Sequence, residues 1–567
     1  MKTACEISNA EHFTGCIFFI RIRTLSVKIK LTQKIYTERS VLMFKHYNMN
    51  QLVLPLNLEV KLQENDIAFH IHHLVESIPD EAFQPFVRKT GCPAYHPRMM
   101  LKIILCAYSQ SVFSGRKIEA LLKDSIRMMW LSQGYEPSYR TINRFRVHPE
   151  VKELIRQCFV QFRCQLIEEK LIDEEAIFID GTKIEANANK FTFVWKKSIE
   201  TYHKRLIEQS NQLYNELLEH KIIPEIQRES SDELSVQELA QLVHQVEEVI
   251  TEYDETIKQT SDVNERKSLR SKRKYPKQVR KKLQDFMVRK QKYEQALKTF
   301  GTRNSYSKTD PDATFMRMKD DYMKNGQLKP GYNLQIATEG QYVLAYQLFS
   351  NPTDTRTFIP FLDEIEKHYF KLPPYIVADA GYGSEQNYED ILTHRKREAL
   401  ITYNTYLKEQ KKRRKQKTWG LEHFQYDEEQ DAYICPNQKR LTYQYRTMRT
   451  DPYGFSREFH VYECEDCTGC PFRVNCTNAK EGRNRKLKVN KNYQLQKEYV
   501  RAKLSEPKAG AIYRRRKIEV EPVFGCLKAN LRFTRFSVRG KSKVENEMGL
   551  VLMAVNLRKY AAKVRGS

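Results

Sequence analysis

The chain has 567 residues, 40% of them hydrophobic, with 96 Lys and Arg against 71 Asp and Glu, a formal net charge of +25. That length exceeds what one core serves, and the charge points to a polyanion gripped through phosphate neutralisation and counterion release. No apolar run nears the roughly 20 residues that span a bilayer, and twelve cysteines in so long a chain do not make a disulfide scaffold, so the expectation is a protein of the cytoplasm or bacterial nucleoid with no membrane partner.

Residues 1–42 lack a clear helical or strand period, and a second methionine opens Met43-Phe44-Lys45-His46. They read as a mis-started or disordered extension, or else as a basic arm that folds on nucleic acid. Residues 43–150 read as a helical DNA-binding domain. From Pro97 to Arg146 the apolar spacing is helical, with Met100, Ile103, Ile104 and Tyr108 on one face and Ile118, Leu121 and Leu122 on another. Ser138 then caps a segment bearing Arg140, Asn143 and Arg144, the side chains a recognition helix would offer in a helix-turn-helix. The plainer alternative is a helical bundle with solvated arginines.

Ala176-Ile177-Phe178-Ile179 reads as a buried strand that stops at Asp180-Gly181, which would present the carboxylate at the strand's carboxyl end. Residues 196–299 are charged and almost free of glycine. Leu239, Leu242, Val246, Val249 and Tyr253 mark a coiled-coil seam behind a Ser235/Glu238 capping box, with residues 280–297 or a second chain as its partner. Residues 331–337 and 342–348 then read as a hairpin, 356–370 as a helix, Tyr375-Ile376-Val377-Ala378 as a strand ending at Asp379, and 399–403 as another strand. This order suits a mixed α/β, or α+β, sheet of the ribonuclease-H kind.

Cys464, Cys467, Cys470 and Cys476, with Cys435 upstream, carry metal-ligand spacing. Thiolates so placed wrap a tetrahedral Zn²⁺ and give a short polar insertion folding energy it could not draw from a core. Five candidates compete for four places, and an iron-sulfur cluster is the rival reading, its last gap being wrong. The basic run Lys411–Lys415 and Arg483, Arg485, Lys486 and Lys488 flank the insertion, and Tyr443, Tyr445 and Tyr453 could stack on unpaired bases.

On Ile179-Asp180-Gly181-Thr182-Lys183, Ala378-Asp379-Ala380-Gly381-Tyr382-Gly383 and Val520-Glu521-Pro522-Val523-Phe524-Gly525-Cys526-Leu527-Lys528, the chain resembles a DDE transposase of a bacterial insertion sequence, in the branch with an N-terminal helix-turn-helix and a cysteine-rich insertion. The resemblance implies a ribonuclease-H-like core at 170–195 and 300–405, an inserted helical coil at 196–299, a zinc insertion at 406–500 and a helical part with the third acid at 501–567. It implies Asp180, Asp379 and Glu521 as catalytic ligands of two Mg²⁺ or Mn²⁺ ions. It also implies binding of double-stranded DNA at inverted repeats and at the target, contact of Lys528 with the strand near the cut, and action as a homodimer, while Arg515 is expected to meet DNA only as a general phosphate-binding residue. Cleavage would free a 3′-hydroxyl that is joined to target DNA; the alternative is an inactive DNA-binding descendant. Glu519 competes with Glu521, and Pro522 argues for Glu521 if a helix begins there, a longer, kinked helix being the other reading.

Overall fold

The computed structural model describes residues 62–63, 65–87, 90, 93–228, 230, 232–318, 326–409, 419–480 and 482–566. The expected extension at 1–42 and the basic run Lys411–Lys415 lie outside them. Six helices open the described chain: α1 (Ile67–Glu76), α2 (Pro97–Ser109), α3 (Gly115–Asp124), α4 (Ile126–Ser132), α5 (Tyr139–Arg146) and α6 (Val151–Glu168). Asp66 caps α1 by accepting from the Ala68 N–H, and Pro97 starts α2, where its missing N–H is no loss. Helix α2 is buried on all sides from Met99 to Ser109, so its stripe is wider than the expected face. Lys102 within it pairs with Glu76, which gives its buried ammonium an opposite charge.

The first acid lies on β1 (Ala176–Glu185), followed by β2 (Phe193–Trp195) and four helices, α7 (Lys196–Glu219), α8 (Val236–Gln259), α9 (Val263–Lys272) and α10 (Lys274–Phe300). Ser235 and Glu238 form the capping box at the start of α8. Leu239, Leu242, Val246 and Ile250 are its buried apolar residues, so the seam turns away from Val249 and Tyr253. The buried apolar positions of α8 are spaced three, four and four residues apart, nearer the 3.6 period of a plain helix than the 3.5 of a supercoil. Here α10 supplies Val279, Leu283 and Phe286 to the same apolar cluster, and α7 supplies Leu206, Leu213 and Leu217.

The chain returns through β3 (Ser305–Ser307) and β4 (Thr314–Arg317) to the hairpin of β5 (Leu328–Glu339) and β6 (Tyr342–Phe349). Gly340 and Gln341 form its two-residue turn, both at positive φ (57° and 62°), as a strand-matching tight turn requires. Next come α11 (Asp354–His368), β7 (Tyr375–Ala378), α12 (Glu385–Glu389), β8 (Glu398–Ile401) and α13 (Tyr406–Glu409). The main sheet runs β4-β5-β1-β7-β8, with β6 also on β5. Strands β1, β7 and β8 are parallel, whereas β5 is antiparallel to β1. The architecture is mixed α+β and consistent with a ribonuclease-H-like core.

A second sheet, ordered β13-β12-β11-β10-β9, is built from β9 (Gln425–Asp427), β10 (Ala432–Ile434), β11 (Arg440–Thr450), β12 (Ser456–Cys464) and β13 (Lys486–Val489), with the short α14 (Arg473–Cys476) between its last two strands. Three helices close the chain: α15 (Lys491–Ser505), α16 (Pro507–Gly525) and α17 (Lys541–Gly566). One continuous apolar core joins α1–α6, the main sheet and α16–α17. The tie is polar as well as apolar. Asn556 of α17 accepts from the Val343 N–H at 2.8 Å and donates to the Val343 carbonyl at 2.7 Å, satisfying both backbone groups of a buried residue.

Each of those backbone groups would lose its partner in Asn556→Leu, at about 1–3 kcal/mol apiece. The expected outcome is a clear fall in the midpoint of thermal unfolding, larger than for Asn530→Leu at an exposed position; equal midpoints would refute the tie.

Candidate active site

Asp180 and Asp379 meet because of strand register. Parallel pairing of β1 with β7 ends at Ile179 and Ala378, and each acid is the next residue along its strand. Both therefore sit at the carboxyl end of the parallel region, where open α/β sheets place their chemistry. Each carboxylate is oriented by a glycine N–H: Gly181 donates to Asp180 Oδ1 at 2.7 Å and Gly381 to Asp379 Oδ1 at 2.8 Å.

One detail differs from the expectation that a strand stops at Asp180-Gly181. Strand β1 continues to Glu185, paired with β5. The glycine answers a close approach rather than a turn, since a Cβ on Gly181 would stand 2.3 Å from Gln335 Nε2. Beneath the acids, Tyr382 donates from Oη to Gln335 Oε1 at 2.5 Å, and Gln335 Nε2 donates to Asp354 Oδ1 at 3.1 Å. Burial holds the Tyr382 hydroxyl well above its ordinary pKa, and the carboxylates of Asp354, Asp180 and Asp379 add to the shift. Sequence reading passed over Asp354, Gln335 and Tyr382; Asp354 was visible only as an acid near a helix start.

Of the two helix readings, the start at Pro522 is corrected and the longer helix is the one found. Helix α16 begins at Pro507, and Pro522 lies inside it, where it removes the bond to the Ile518 carbonyl. Ile518 is 62% exposed, so that carbonyl lies on the wet side of the helix. Ala509, Ile512, Val520 and Val523 pack inward. Arg516, rather than an acid, approaches Asp180, with Nη1 at 3.8 Å from Oδ2.

The two edges of α16 serve opposite ends of the sheet. On one edge Lys508 reaches Glu175 at 2.6 Å, Arg515 lies over the Phe178 ring and donates to Glu519 at 2.9 Å, and Glu519 accepts from the Gln341 N–H at 2.7 Å. Glu175 immediately precedes β1, and Gln341 lies in the β5–β6 turn beside that same end, so Glu519 is buried away from the paired acids. On the other edge Tyr513 Oη meets Thr402 Oγ1 at 3.0 Å, just past the carboxyl end of β8. Glu521 is exposed. It lies about 200° around the helix from Glu519 and about 80° from Tyr513. Among the described residues, no three carboxylate, imidazole or thiol groups are drawn together tightly enough to define a metal site.

In the second sheet, Cys464 and Cys467 are buried, and Cys435 and Cys476 pack on the same small cluster. Burial pushes the Cys464 thiol up to about 12, with Cys467 and Cys435 adding to the shift; burial likewise raises Cys476, which feels Cys467, Cys435 and Cys470. The N–H groups of Lys439 and Arg485 point at Cys435 Sγ (3.4 Å) and Cys467 Sγ (3.3 Å). Cys435 and Cys467 thus each accept from a separate backbone N–H within one small cluster.

Arg140 and Arg144 are exposed one turn apart on α5. Asn143 instead accepts from the buried Arg146, which also donates to Tyr108 Oη and the Phe113 carbonyl at 2.7 Å each. Ser138 stands at the N-cap, but its hydroxyl meets Thr141 Oγ1 at 3.3 Å rather than a backbone N–H. Lys528 is partly exposed in a π-helical turn, Cys526–Asn530, that follows α16. No helix of the described residues is long and apolar enough to cross a membrane.

No curated protein and no solved structure matches the chain. Two family matches do. Residues 56–148, covering the helices up to α5, match a family described as a transposase domain, and residues 434–561, covering all five clustered cysteines and the Glu521 stretch, match one described as the transposase DDE domain. Together these matches support recognition of the chain as a DDE-type transposase of an insertion sequence.

Proposed function

We propose that the protein binds the terminal inverted repeats of its own element as a homodimer at the nucleoid, hydrolyses phosphodiester bonds at the element ends, and joins the freed 3′-hydroxyl to target DNA. The observation that carries this reading is the adjacency of Asp180 and Asp379 one step beyond the last parallel pair of β1 and β7, in a chain with two transposase matches.

Asp180 and Asp379 offer hard oxygen donors suited to Mg²⁺ or Mn²⁺. Bound there, divalent ions supply Lewis-acid activation of water and stabilisation of the leaving 3′ oxygen. The chain's own residues do the rest. Gly181 and Gly381 hold the carboxylates in orientation through their N–H groups. Arg516, 17% exposed beside Asp180, supplies a positive charge where a phosphate would enter. Glu521 is the third acid in this reading: Glu519 is already bound by Arg515 and the Gln341 N–H beside the start of β1, whereas Glu521 is exposed. Arg140 and Arg144 on α5 present cations to duplex DNA, with Asn143 and Lys528 as further contacts. Arg515, engaged by Glu519, contributes to folding more than to phosphate binding. Cys464, Cys467, Cys470 and Cys476, with Cys435 as the fifth candidate, hold a structural Zn²⁺.

Asp180→Asn and Asp379→Asn should each leave duplex binding intact and reduce Mg²⁺-dependent cleavage at the repeat ends by at least about a hundredfold; cleavage persisting in both would remove these residues from the site. The same assay separates the two glutamates. Glu521→Gln should abolish cleavage, whereas Glu519→Gln should retain it with a lower unfolding midpoint; the reverse pattern would reassign the third acid. For the cysteine cluster, elemental analysis of purified protein should find about one zinc per chain, lost in Cys467→Ser together with a drop in thermal stability. Iron in place of zinc, or no metal in the natural protein, would refute that site.

A further inference from the structure

The two acids are joined beneath the sheet surface by side chains that no established role accounts for. Gln335 on β5 stands opposite Gly181 in register and is fully buried. Its Oε1 accepts from Tyr382 of the Asp379 loop, and its Nε2 donates to Asp354 Oδ1 and Asn333 Oδ1, both at 3.1 Å. That pattern fixes which way the amide faces, because Oε1 meets a donor and Nε2 meets two acceptors. Asn333 also donates to Asp354 Oδ1 at 2.7 Å.

Asp354 and Thr355 open α11 and hold both sides at once. Asp354 grips β5 next to Gly181, while Thr355 Oγ1 donates to the Gly381 carbonyl at 2.7 Å, in the loop whose N–H orients Asp379. Asn387 closes the arrangement by donating to the Tyr382 carbonyl at 2.8 Å and the Thr355 carbonyl at 3.1 Å. Between Asp180 and Asp379, then, runs a covalent and hydrogen-bonded path of few members: Gly181 against Gln335, Gln335 to Tyr382, and Tyr382 back to the Asp379 loop. Tyr382 is 1% exposed and packs on Phe358 at 5.2 Å between ring centres, so its hydroxyl has no solvent to replace Gln335.

We propose that Gln335, oriented by Asp354, and Tyr382 are positioning residues that set the separation of Asp180 and Asp379, and with it the affinity of the pair for divalent cations. A carboxylate pair shared by cations tolerates little displacement, since misplacement by about 1 Å is enough to cost two orders of magnitude in a reaction. This inference rests on the reading of Asp180 and Asp379 as cation ligands.

The test is Mn²⁺ binding to the full chain, followed by the electron paramagnetic resonance signal of the free ion, alongside Mg²⁺-dependent cleavage. Tyr382→Phe removes one hydroxyl and keeps the ring. Tyr388→Phe is its control, a fully buried tyrosine that donates to the Ile401 carbonyl at 3.0 Å and joins neither acid. The expected result is an Mn²⁺ half-saturation raised about three- to tenfold in Tyr382→Phe, the scale of one buried hydrogen bond, with Tyr388→Phe unchanged and duplex binding equal in both. Asp354→Asn, which weakens the hold on the Gln335 amide, should shift half-saturation in the same direction. No shift in Tyr382→Phe and Asp354→Asn, or equal shifts in all three variants, would overturn the proposal. If Asp379→Asn binds Mn²⁺ as the natural chain does, the acids are not its site and the proposal falls with that reading. If Mn²⁺ binding depends on Asp379 but no DNA is cut, the transposase reading fails alone and the binding shifts still decide the proposal.

Discussion

Everything at the candidate site depends on a short parallel pairing. Four residue pairs hold β1 against β7, and the two acids emerge together because the pairing stops at Ile179 and Ala378. A slip of one residue would send Asp180 to the opposite face of the sheet while Asp379 stayed in place. Register is held by what surrounds the pairing: Phe178, Ile177, Ile376 and Val377 are fully or almost fully buried, so neither strand can shift without exposing its apolar set. The antiparallel hairpin of β5 and β6 extends this sheet on the other side of β1, and α17 locks β6 through the Asn556 amide.

Helix α16 lies on this frame with two chemically different edges. The edge bearing Lys508, Arg515 and Glu519 is tied into the amino end of the sheet by ion pairs and a backbone bond. Arg516, between the edges, reaches Asp180, while the opposite edge meets Thr402 through Tyr513 and Glu521 is left in solvent. Pro522 one residue later withdraws a hydrogen bond from the Ile518 carbonyl, and a π-helical turn follows at Cys526–Asn530. Two departures from regular helix thus flank Glu521 on its carboxyl side, where local adjustment costs least.

Much of this was legible in the amino-acid sequence, for identifiable reasons. Short apolar runs ending in an acid marked β1 and β7, Gly340 marked the hairpin, and Ser235 with Glu238 marked the start of α8. Each is a local signal with a local cause. What escaped notice depended on partners distant in the chain. Gly181 looked like a turn because nothing nearby announces that Gln335, 154 positions later, would fill the space of its Cβ. Gln335, Asp354 and Tyr382 are ordinary polar residues until the sheet brings them into one buried network. Pro522 pointed to a helix start because a proline inside a helix is normally penalised, and only the exposure of the Ile518 carbonyl side makes it tolerable. In α8, the choice between Val249 and Ile250 turned on packing against α7 and α10, which the periodicity of α8 alone does not reveal.

The single apolar core shared by α1–α6 and the main sheet carries a consequence for how the molecule measures distance. Arg146, the last residue of α5, is buried on Tyr108 and Phe113, and Asn546 of α17 donates to the carbonyls of Arg146 and His148. The helix that displays Arg140 and Arg144 is therefore fastened to the same solid body as Asp180, with no flexible tether between them. If a duplex seats on α5 as proposed, it would be held at a span dictated by packing, so the number of base pairs between a recognised sequence and a cut would be a property of the protein's rigid interior, as the length of a gauge is a property of its steel.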